Sequence, residues 1–466
     1  MVTNLRADAL AISCAWAGEL DGELRSREAD LLRSLDVGDG SVDVVALGKS
    51  ARPMAQVATA LWGERVSRHL VVTTSAGWTA SRGHPSELVG DHPVPGALSR
   101  RAGVALLEFL DAPTESTSTL FLVSGGASSL CVVPQDPLTL EDLAAVWAAA
   151  LAAGLDITAL NRIRAATSAI SGGAVLRRVR TASASALILV DNVVSGAPWV
   201  ASGLTFEVRP TPDEVGEMVD QLGTIDAGVR ARLLEAADRR AVLMEAPGVT
   251  SDNRVLADPS VLVEHAAREA RRRGYRVLEM GSSVHGDVDD VAATWMDALR
   301  RARDEGLPAC LVGAGEVTVR VSGSGTGGRC QELAWRLARR LPDLVWRAVF
   351  VARASDGRDF VPGVAGAWVD ASTAAHAASR GFDWERVAAD NDTNRPLAAL
   401  GQTVTGGASG WNLCDLYVAL TAPESSSDPL VLRTTFRGSL PWRIRSIWAR
   451  RRRAIRGRIA EVAPPT

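Results

Sequence analysis

The stretch EVTVRVSGSGTGGRCQELAWRLARRL, residues 316–341, carries the clearest local pattern in this chain. Its first six residues alternate polar and β-branched side chains, which is typical of a strand. Four glycines follow within residues 323–328, and apolar side chains then recur at helical spacing from Cys330 to Leu341. The pattern therefore predicts a strand that passes through a tight glycine loop into a helix.

Such a junction can present backbone N–H groups and a helix N-terminus to an anion. Arg329, at the start of the predicted helix, adds a fixed positive charge that suits phosphate or carboxylate. Gly323, Gly325 and Gly328 also match the G-x-G-x-x-G pattern, but the acid expected at the end of the next strand is Asp356, which comes late for a dinucleotide site. An anion site and an ordinary turn without a ligand both remain open.

Length and composition limit the class of protein. The 466 residues exceed one ordinary core and predict two domains, while 47% hydrophobic and 23% charged residues are typical of a soluble globular chain. A net charge of −3 argues against nucleic-acid binding by bulk electrostatics. The five cysteines are odd in number and form no CxxC, which favours a reducing compartment over a disulfide framework or zinc site.

Neither the N-terminal residues nor any apolar run has the pattern of a targeting signal or of a membrane span. Residues 1–16 lack a basic region followed by a long apolar run, and the longest apolar run, 143–155, is too short for a bilayer. We therefore expect a cytoplasmic protein without a transmembrane segment. The arginine-rich tail, residues 433–458, is typical either of a basic helix that touches an acidic surface or of a solvated end.

Lys49 is the only lysine among 51 basic residues. It follows the apolar run 42–47, within Gly48-Lys49-Ser50, and precedes a helical pattern. The segment is not a Walker A loop, because Asp43 occupies the place of its first glycine. The sequence predicts a lysine at a helix N-terminus, where its compact charge could meet an anion, although a solvated lysine on a turn is the simpler interpretation.

Other strand ends carry similar groups. Residues 124–129, SGGASS, follow a predicted strand and offer a second candidate anion cradle, unless they form an ordinary turn. Asp191 follows another strand, in the position where open α/β sheets hold ligands and metals. Glycine loops, single cations and acids thus recur in two α/β halves, which favours phosphoryl transfer in a cleft between them.

The chain resembles the MOFRL-type glycerate 2-kinases over about residues 40–420. The resemblance rests on motifs that occur in the family's order: Gly48-Lys49, His92-Pro93-Val94-Pro95, Ser124-Gly125-Gly126, Asn161 with Arg164, Asp191, Ser202-Gly203, Gly315-Glu316, Gly327-Gly328-Arg329 with Gln331-Glu332, Asp356-Gly357 with Asp359, and Asn412 with Asp415.

The resemblance implies a fold and an activity. The expected fold is α/β, with two α/β domains, Rossmann-like sheets and an interdomain cleft; the domains are residues 1–247 and 248–425, followed by an arginine-rich extension, 426–466. The implied activity is ATP-dependent phosphorylation of the 2-hydroxyl of glycerate, with Mg²⁺. The expected partners are ATP and a small hydroxy acid, with no nucleic acid, and a homodimer is an open expectation.

The resemblance also implies roles for individual residues. Lys49 and Arg329 would stabilise charge on the transferring phosphoryl group, and Asp191 would bind metal or orient the hydroxyl. Glu316 would be a second metal ligand. Phosphates or substrate would be bound by Ser124, Gly125, Gly126, Asn161, Arg164, Gly327, Gly328, Asp356 and Asn412.

Departures from the family pattern predict altered chemistry. Two family lysines are replaced at 163–166 and at Ser171, and a family aspartate is replaced at 195–196. In a water-excluded site one such donor is worth about 3 kcal/mol in the transition state. We therefore expect a changed substrate, or a binding or regulatory protein without kinase activity; a nicotinamide-dependent oxidoreductase that uses the loop at Gly323 is a further alternative. Trp411 predicts a larger acceptor if it lines the pocket, and otherwise a core aromatic.

Overall fold

The structure, a computed structural model, describes residues 4–74, 86–92, 94–153, 155, 157–191, 196–223, 225–406 and 409–423. The segment that contains His84-Pro85 and the arginine-rich tail lie outside these residues. The described chain is built on two six-stranded sheets with helices against them, so the predicted α/β fold with two sheets is confirmed.

The first sheet is parallel throughout, with strand order β3-β2-β1-β4-β5-β6. Its strands are β1 Val42–Leu47, β2 Val66–Thr73, β3 Ser86–Val89, β4 Ser118–Val123, β5 Ser183–Leu189 and β6 Ser251–Ala257. Every residue of β1 and β4 is buried, as expected of central strands covered on both faces. The order reverses between β1 and β4, and in open α/β sheets ligands bind at the carboxyl ends of such neighbours.

The second sheet is mixed, with strand order β11-β10-β9-β12-β8-β7. Its strands are β7 Arg276–Asp287, β8 Ala309–Thr318, β9 Arg347–Ala354, β10 Val364–Asp370, β11 Thr403–Thr405 and β12 Asp415–Ala422. Only β7 and β8 pair in parallel, and the other four pairings are antiparallel. This sheet therefore departs from the Rossmann-like pattern that the sequence predicts.

Fifteen α-helices lie in the described part of the chain. They are α1 Leu5–Ser13, α2 Leu20–Ser34, α3 Ala51–Trp62, α4 Ala97–Asp111, α5 Ala127–Leu130, α6 Leu140–Ala152, α7 Ile157–Thr167, α8 Pro212–Asp220, α9 Ala227–Glu245, α10 Ser260–Arg272, α11 Val288–Asp304, α12 Arg329–Arg340, α13 Thr373–Ser379, α14 Trp384–Ala389 and α15 Asn394–Ala399. None of them combines the length and the apolar character that crossing a bilayer requires.

One apolar cluster joins the two sheets. It includes Val44 and Met54 beside the first sheet together with Val312 and Leu416 of the second. Helix α1, from the start of the chain, packs against β9 and β12, and β6 belongs to the first sheet although it lies beyond residue 247. A helix from the start of the chain thus lies against the second sheet, and a strand from beyond residue 247 belongs to the first sheet. The predicted domain limits stay a prediction.

Candidate active site

The carboxyl ends of β1 and β4 are tied together by backbone and hydroxyl hydrogen bonds. The Lys49 N–H donates to the Gly125 carbonyl at 2.9 Å, and the Ser50 N–H donates to the Ser124 hydroxyl at 3.0 Å. Gly48 has φ of 121°, and a side chain there would collide with Ser124. This packing places Lys49 at the N-terminus of α3, beside the glycine turn that follows β4.

Lys49 reaches from the first sheet toward the second. Its Nζ lies 3.6 Å from Oδ2 of Asp356, two residues beyond the end of β9, and the two side chains are 26% and 23% exposed. The contact is therefore a water-accessible ion pair rather than a sealed one. It brings together two residues that the sequence predicts on opposite halves of one cleft.

Asp191 lies just beyond β5 and against the same glycine turn. The Asn412 side-chain amide donates to Asp191 Oδ2 at 2.7 Å. A Cβ on Gly125 would lie 1.3 Å from that oxygen, so only glycine permits this approach. Burial raises the pKa of Asp191, while the charge of Lys49 opposes the rise. Asp191, Asn412, Gly125 and Lys49, all predicted site residues, are thus brought together.

Arg329 stands at the first position of α12 and forms an ion pair with Glu316. Its Nε also lies 3.8 Å from Oδ2 of the buried Asp415. Burial raises the pKa of Asp191 and of Asp415, and the charges of both Lys49 and Arg329 counter that rise at each carboxyl. The two cations therefore act on the same pair of carboxylates, as one shared cleft requires.

The N-terminus of α12 is capped by a carboxylate of the protein itself. Asp359 accepts hydrogen bonds from the N–H groups of Cys330 at 3.1 Å and Gln331 at 3.0 Å, and from the Gln331 side chain. A Cβ on Gly328 would lie 2.1 Å from Asp359 Oδ1. A side chain on Gly327 would meet Thr393 instead, so the two glycines are packed against different segments of the chain, and the binding of phosphate or substrate at Gly327 and Gly328 stays a prediction.

The first part of this glycine loop, residues 322–326, donates its backbone hydrogen bonds within the chain. The N–H groups of Ser322 and Gly323 donate to the Asn391 side chain, that of Ser324 donates to Asp390, and that of Thr326 donates to Asp392. These donors would have to face a pyrophosphate in a dinucleotide site. The loop fastens α12 to the segment 390–393, and the dinucleotide interpretation of Gly323 does not fit.

A cavity of about 250 Å³ opens beside the first junction, residues 124–129. Its lining includes His92, Gly126, Ser128, Asn161 and Arg164. The N–H groups from Gly125 to Ser128 have no acceptor among the residues that the structure describes. Unlike the loop before α12, this turn therefore keeps backbone donors free next to a cavity.

Arg164 is the main charge in this cavity. Its guanidinium lies 4.8 Å from the centre of the Trp147 ring, and its Nε is buried without a hydrogen-bond partner. Within the described ranges it forms no ion pair with any carboxylate. Burial lowers the pKa of Arg164 to about 10, which still leaves it cationic at neutral pH. A largely buried cation without a counter-ion suits the carboxylate or phosphate of a ligand.

Three residues in or beside the cavity, Ser202, Trp147 and Trp199, have no assigned role in the sequence analysis. Ser202 exchanges a hydrogen bond with Ser128 at 2.9 Å and approaches Asn161 at 3.4 Å, while Trp147 and Trp199 form apolar walls. The Ser202-Gly203 motif was a signal for the first of these. No local pattern marks the tryptophans, because the folding of α6 and the turn 197–202 brings them here.

His92 lines the same cavity, where burial and the charge of Lys49 lower its pKa to about 4. A neutral imidazole at physiological pH can donate or accept a hydrogen bond without repelling the nearby cations. The position of His92 at the cavity favours contact with a substrate over a purely structural role.

The predicted metal ligands separate in the structure. Glu316 is paired with Arg329, whereas Asp191 lies beside Lys49 and Asp356. No cluster of three or more His, Cys, Asp or Glu suited to a metal occurs in the part of the chain that is described. Mg²⁺ in nucleotide-dependent enzymes usually takes one or two carboxylates and the substrate's phosphates. Asp191 and Asp356 fit that requirement, and Glu316 does not.

Three buried side chains near the site belong to the core. Trp411 is fully buried, and its indole N–H donates to Asp21 on α2 at 2.9 Å, so it does not enlarge the acceptor site. Cys330 and Cys414 are buried, and burial raises the pKa of both thiols well above the usual range. The Cys414 thiol also donates a hydrogen bond to the backbone carbonyl of Asp191.

Comparisons with known proteins agree with this arrangement. Residues 17–234 match a domain of unknown function, DUF4147, and residues 309–415 match the MOFRL family. The D-glycerate 2-kinase of Thermotoga maritima is 28% identical over 394 residues, which cover 81% of this chain and 90% of that protein. A protein of Agrobacterium vitis, named provisionally as a hydroxypyruvate reductase, is 29% identical over 82% of this chain and 87% of its own length.

Comparison with a solved structure agrees with these sequence similarities. The crystal structure of a glycerate kinase from Thermotoga maritima superposes with a TM-score of 0.74 and 26% identity, covering 89% of this chain and 99% of that one. Two consecutive family models and similarity along most of the sequence thus agree with the cleft described above. The chain belongs to the family of MOFRL-type glycerate kinases.

Proposed function

We propose that this protein transfers the terminal phosphoryl group of ATP to a hydroxyl of glycerate or a related small hydroxy acid. The observation that carries the proposal is the meeting of Lys49 and Asp356 across the two sheets, at a strand-order reversal and next to a cavity with an unpaired arginine. Phosphoryl transfer needs such a set of positioned cations, carboxylates and backbone donors.

The acceptor binds in the cavity beside the first junction. Its carboxylate pairs with Arg164, and the free N–H groups of residues 125–128 complete the anion site. Asn161 and the Ser128 hydroxyl orient the remaining polar groups of the acceptor. In this proposal the reacting hydroxyl faces Asp191, which lines the same cavity.

Asp191 takes the proton of the reacting hydroxyl. Burial raises its pKa toward the working range of a general base, and Asn412 holds one of its oxygens in place. Lys49 and Arg329 stabilise the negative charge that spreads over the moving phosphoryl group. Mg²⁺ that enters with ATP would neutralise phosphate charge and would be held by Asp356.

A direct assay tests the proposal. Purified protein is incubated with ATP, Mg²⁺ and a panel of 2-hydroxy acids, ADP release is followed, and the phosphorylated product is identified by mass spectrometry. We expect Arg164→Ala to raise the KM for the acceptor at least about tenfold with little change in the KM for ATP. Arg178→Ala is the matched control, because Arg178 pairs with Asp111 on the surface. Absence of ADP release with every acceptor would contradict the proposal.

A second candidate is a reductase, because one relative carries that provisional name. Thermal-shift measurements with ATP–Mg²⁺ and with NADPH separate the two. We expect stabilisation by the nucleotide triphosphate and none by the nicotinamide, since the N–H groups of residues 322–326 in the glycine loop before α12 already donate within the chain. A family member that only binds ligands would show the ATP–Mg²⁺ shift without turnover, which the ADP assay detects.

A further inference from the structure

A second cavity lies on the other side of Trp199. It measures about 400 Å³ and shares Trp199 with the cavity that contains Arg164. Helix α7 contributes Asn161 and Arg164 to the first cavity and Arg162 to the second. The short turn of 3₁₀-helix Ala197–Ser202 likewise contributes to both. The two cavities therefore adjoin, with Trp199 as their common wall.

The second cavity combines apolar side chains with a set of charged ones. Besides Trp199 it is lined by Pro198, Phe206, Val208 and Pro210. Two aromatic rings and two prolines offer flat, rigid contact area to an aliphatic or aromatic group. Nothing in this lining provides the run of free donors that is found beside Gly125.

The charged groups at this second cavity neutralise one another. Arg162 pairs with Glu214 at 3.0 Å, and Arg209 pairs with Glu207 at 2.6 Å. All four side chains are 42% to 54% exposed, so they form a solvated rim and leave the apolar lining to set the binding preference. Arg164 in the neighbouring cavity has no such carboxylate, so the two cavities differ in the charge that they can accept.

This difference defines the chemistry of the acceptor. We infer that the acceptor is a 2-hydroxy acid with an apolar or aromatic substituent, whose carboxylate binds at Arg164 and whose substituent lies past Trp199 against Phe206. The inference rests on the proposed kinase function and narrows its substrate class. Glycerate itself would leave the second cavity to water, and burying an apolar group there gains free energy in proportion to its area.

Trp199 is held at this position by a constrained turn. The two residues that follow Val200, Ala201 and Ser202, have φ of 54° and 53°, a left-handed conformation that is costly for side chains other than glycine. Ser202 is fixed by its hydrogen bond to Ser128. The turn thus couples the position of Trp199 to the anion site, which makes Trp199 a specificity-determining residue.

Competition between acceptors tests the inference. The value of kcat/KM is measured for glycerate, for lactate and for 3-phenyllactate, which carries an aromatic ring on the same 2-hydroxy acid. We expect 3-phenyllactate to exceed lactate at least about tenfold in the natural protein. Trp199→Ala and Phe206→Ala should each reduce that ratio at least about fivefold. Trp368→Ala is the control, because Trp368 lies on β10 against Arg6 and lines neither cavity.

The outcomes separate this inference from the proposed function. Turnover of glycerate or lactate with no gain for 3-phenyllactate overturns the inference and leaves the kinase intact. Failure of all acceptors overturns the kinase proposal itself. A ratio unchanged in both Trp199→Ala and Phe206→Ala, together with a raised KM for ATP, would assign the second cavity to the nucleotide and also overturn the inference. If Trp199→Ala does not fold, Phe206→Ala on the opposite wall still gives the answer.

Discussion

Two glycine-rich junctions in this molecule look alike in sequence and differ in what their backbone donors do. Residues 124–129, after β4, keep N–H groups free beside a cavity, among the residues that the structure describes. Residues 322–326, before α12, donate theirs to Asn391, Asp390 and Asp392. A glycine loop therefore indicates that something approaches the backbone, and long-range packing determines whether that is a ligand or another loop.

The helix that follows each junction shows the same contrast. At α12 the positive end of the helix dipole meets Asp359, a buried carboxylate of the chain. Beside the first junction, Arg164 in the cavity lining forms no ion pair with a carboxylate of the described ranges. One junction is thus electrostatically closed, and the other is open to an anion from solution.

The largest effect is expected at Lys49, beside the open junction. Lys49→Ala should reduce kcat at least about 100-fold, because a preorganised cation at the transferring phosphoryl group is lost. Lys49→Arg tests whether any cation suffices, and we expect it to recover only part of the rate. Circular dichroism and the unfolding midpoint check that the fold is intact. A near-normal rate in Lys49→Ala would remove this residue from the mechanism.

At the closed junction, before α12, a substitution should change the free energy of unfolding rather than the reaction rate. Asp359→Ala removes the carboxylate that caps α12 and should lower the free energy of unfolding by about 2 kcal/mol. Asp356→Ala, three residues earlier, is the matched variant: it should reduce kcat and leave the unfolding midpoint nearly unchanged. Urea denaturation and ADP release measure both variants. The contrast between the junctions fails if Asp359→Ala is as stable as the natural protein.

Asp359 should also make stability depend on pH. Burial, followed by the charge of Asp415, raises the pKa of Asp359 to about 7 from its ordinary value of 3.8. The folded state therefore binds more protons than the unfolded state between these values, so stability falls as pH rises from about 4 to 7, by at most about 1.4 kcal/mol per pH unit. Asp359→Asn should flatten this part of the profile, whereas Asp252→Asn, on the exposed side of β6, should not. An unchanged profile in Asp359→Asn would contradict the assignment.

The smallest effect is expected at Ser128. Its hydroxyl contacts Ser202 at the cavity, so Ser128→Ala should raise the KM for the acceptor roughly threefold to tenfold, which corresponds to about 1 kcal/mol. The midpoint of thermal unfolding should stay close to that of the natural protein, because the residue lies at the open junction. Ser324→Ala in the other loop is the control for the KM. A large loss of stability with no change in KM would make Ser128 structural.

The sequence predicts much of the frame and part of the site. Local patterns locate β1, β4, β9 and α12 and place Lys49 at a helix N-terminus, because periodicity and turn residues act over short distances. The family motifs bring Asp191, Asn412 and Asp356 into one cleft. The strand directions of the mixed second sheet could not be predicted from local patterns, because they depend on pairings between distant segments.

The features that sequence reasoning missed have a common physical origin. The carboxylate that caps α12 beside Gly328 is Asp359, which comes about thirty residues further on. Trp411 looks like a pocket wall until Asp21 of α2 binds its indole. Trp199, which does line a pocket, has no local signature. In each case the partner that fixes the role comes from another element.

The solitary lysine has a practical consequence. Reagents that attack primary amines, such as succinimidyl esters or glutaraldehyde, find a single side-chain target in this chain, and its ammonium lies 26% exposed beside Asp356. Coupling through side-chain amines would therefore attach the protein to a surface or dye at Lys49, within the cleft itself. The same reagents can report on binding. A ligand that protects Lys49 from acylation must lie in the space between the sheets.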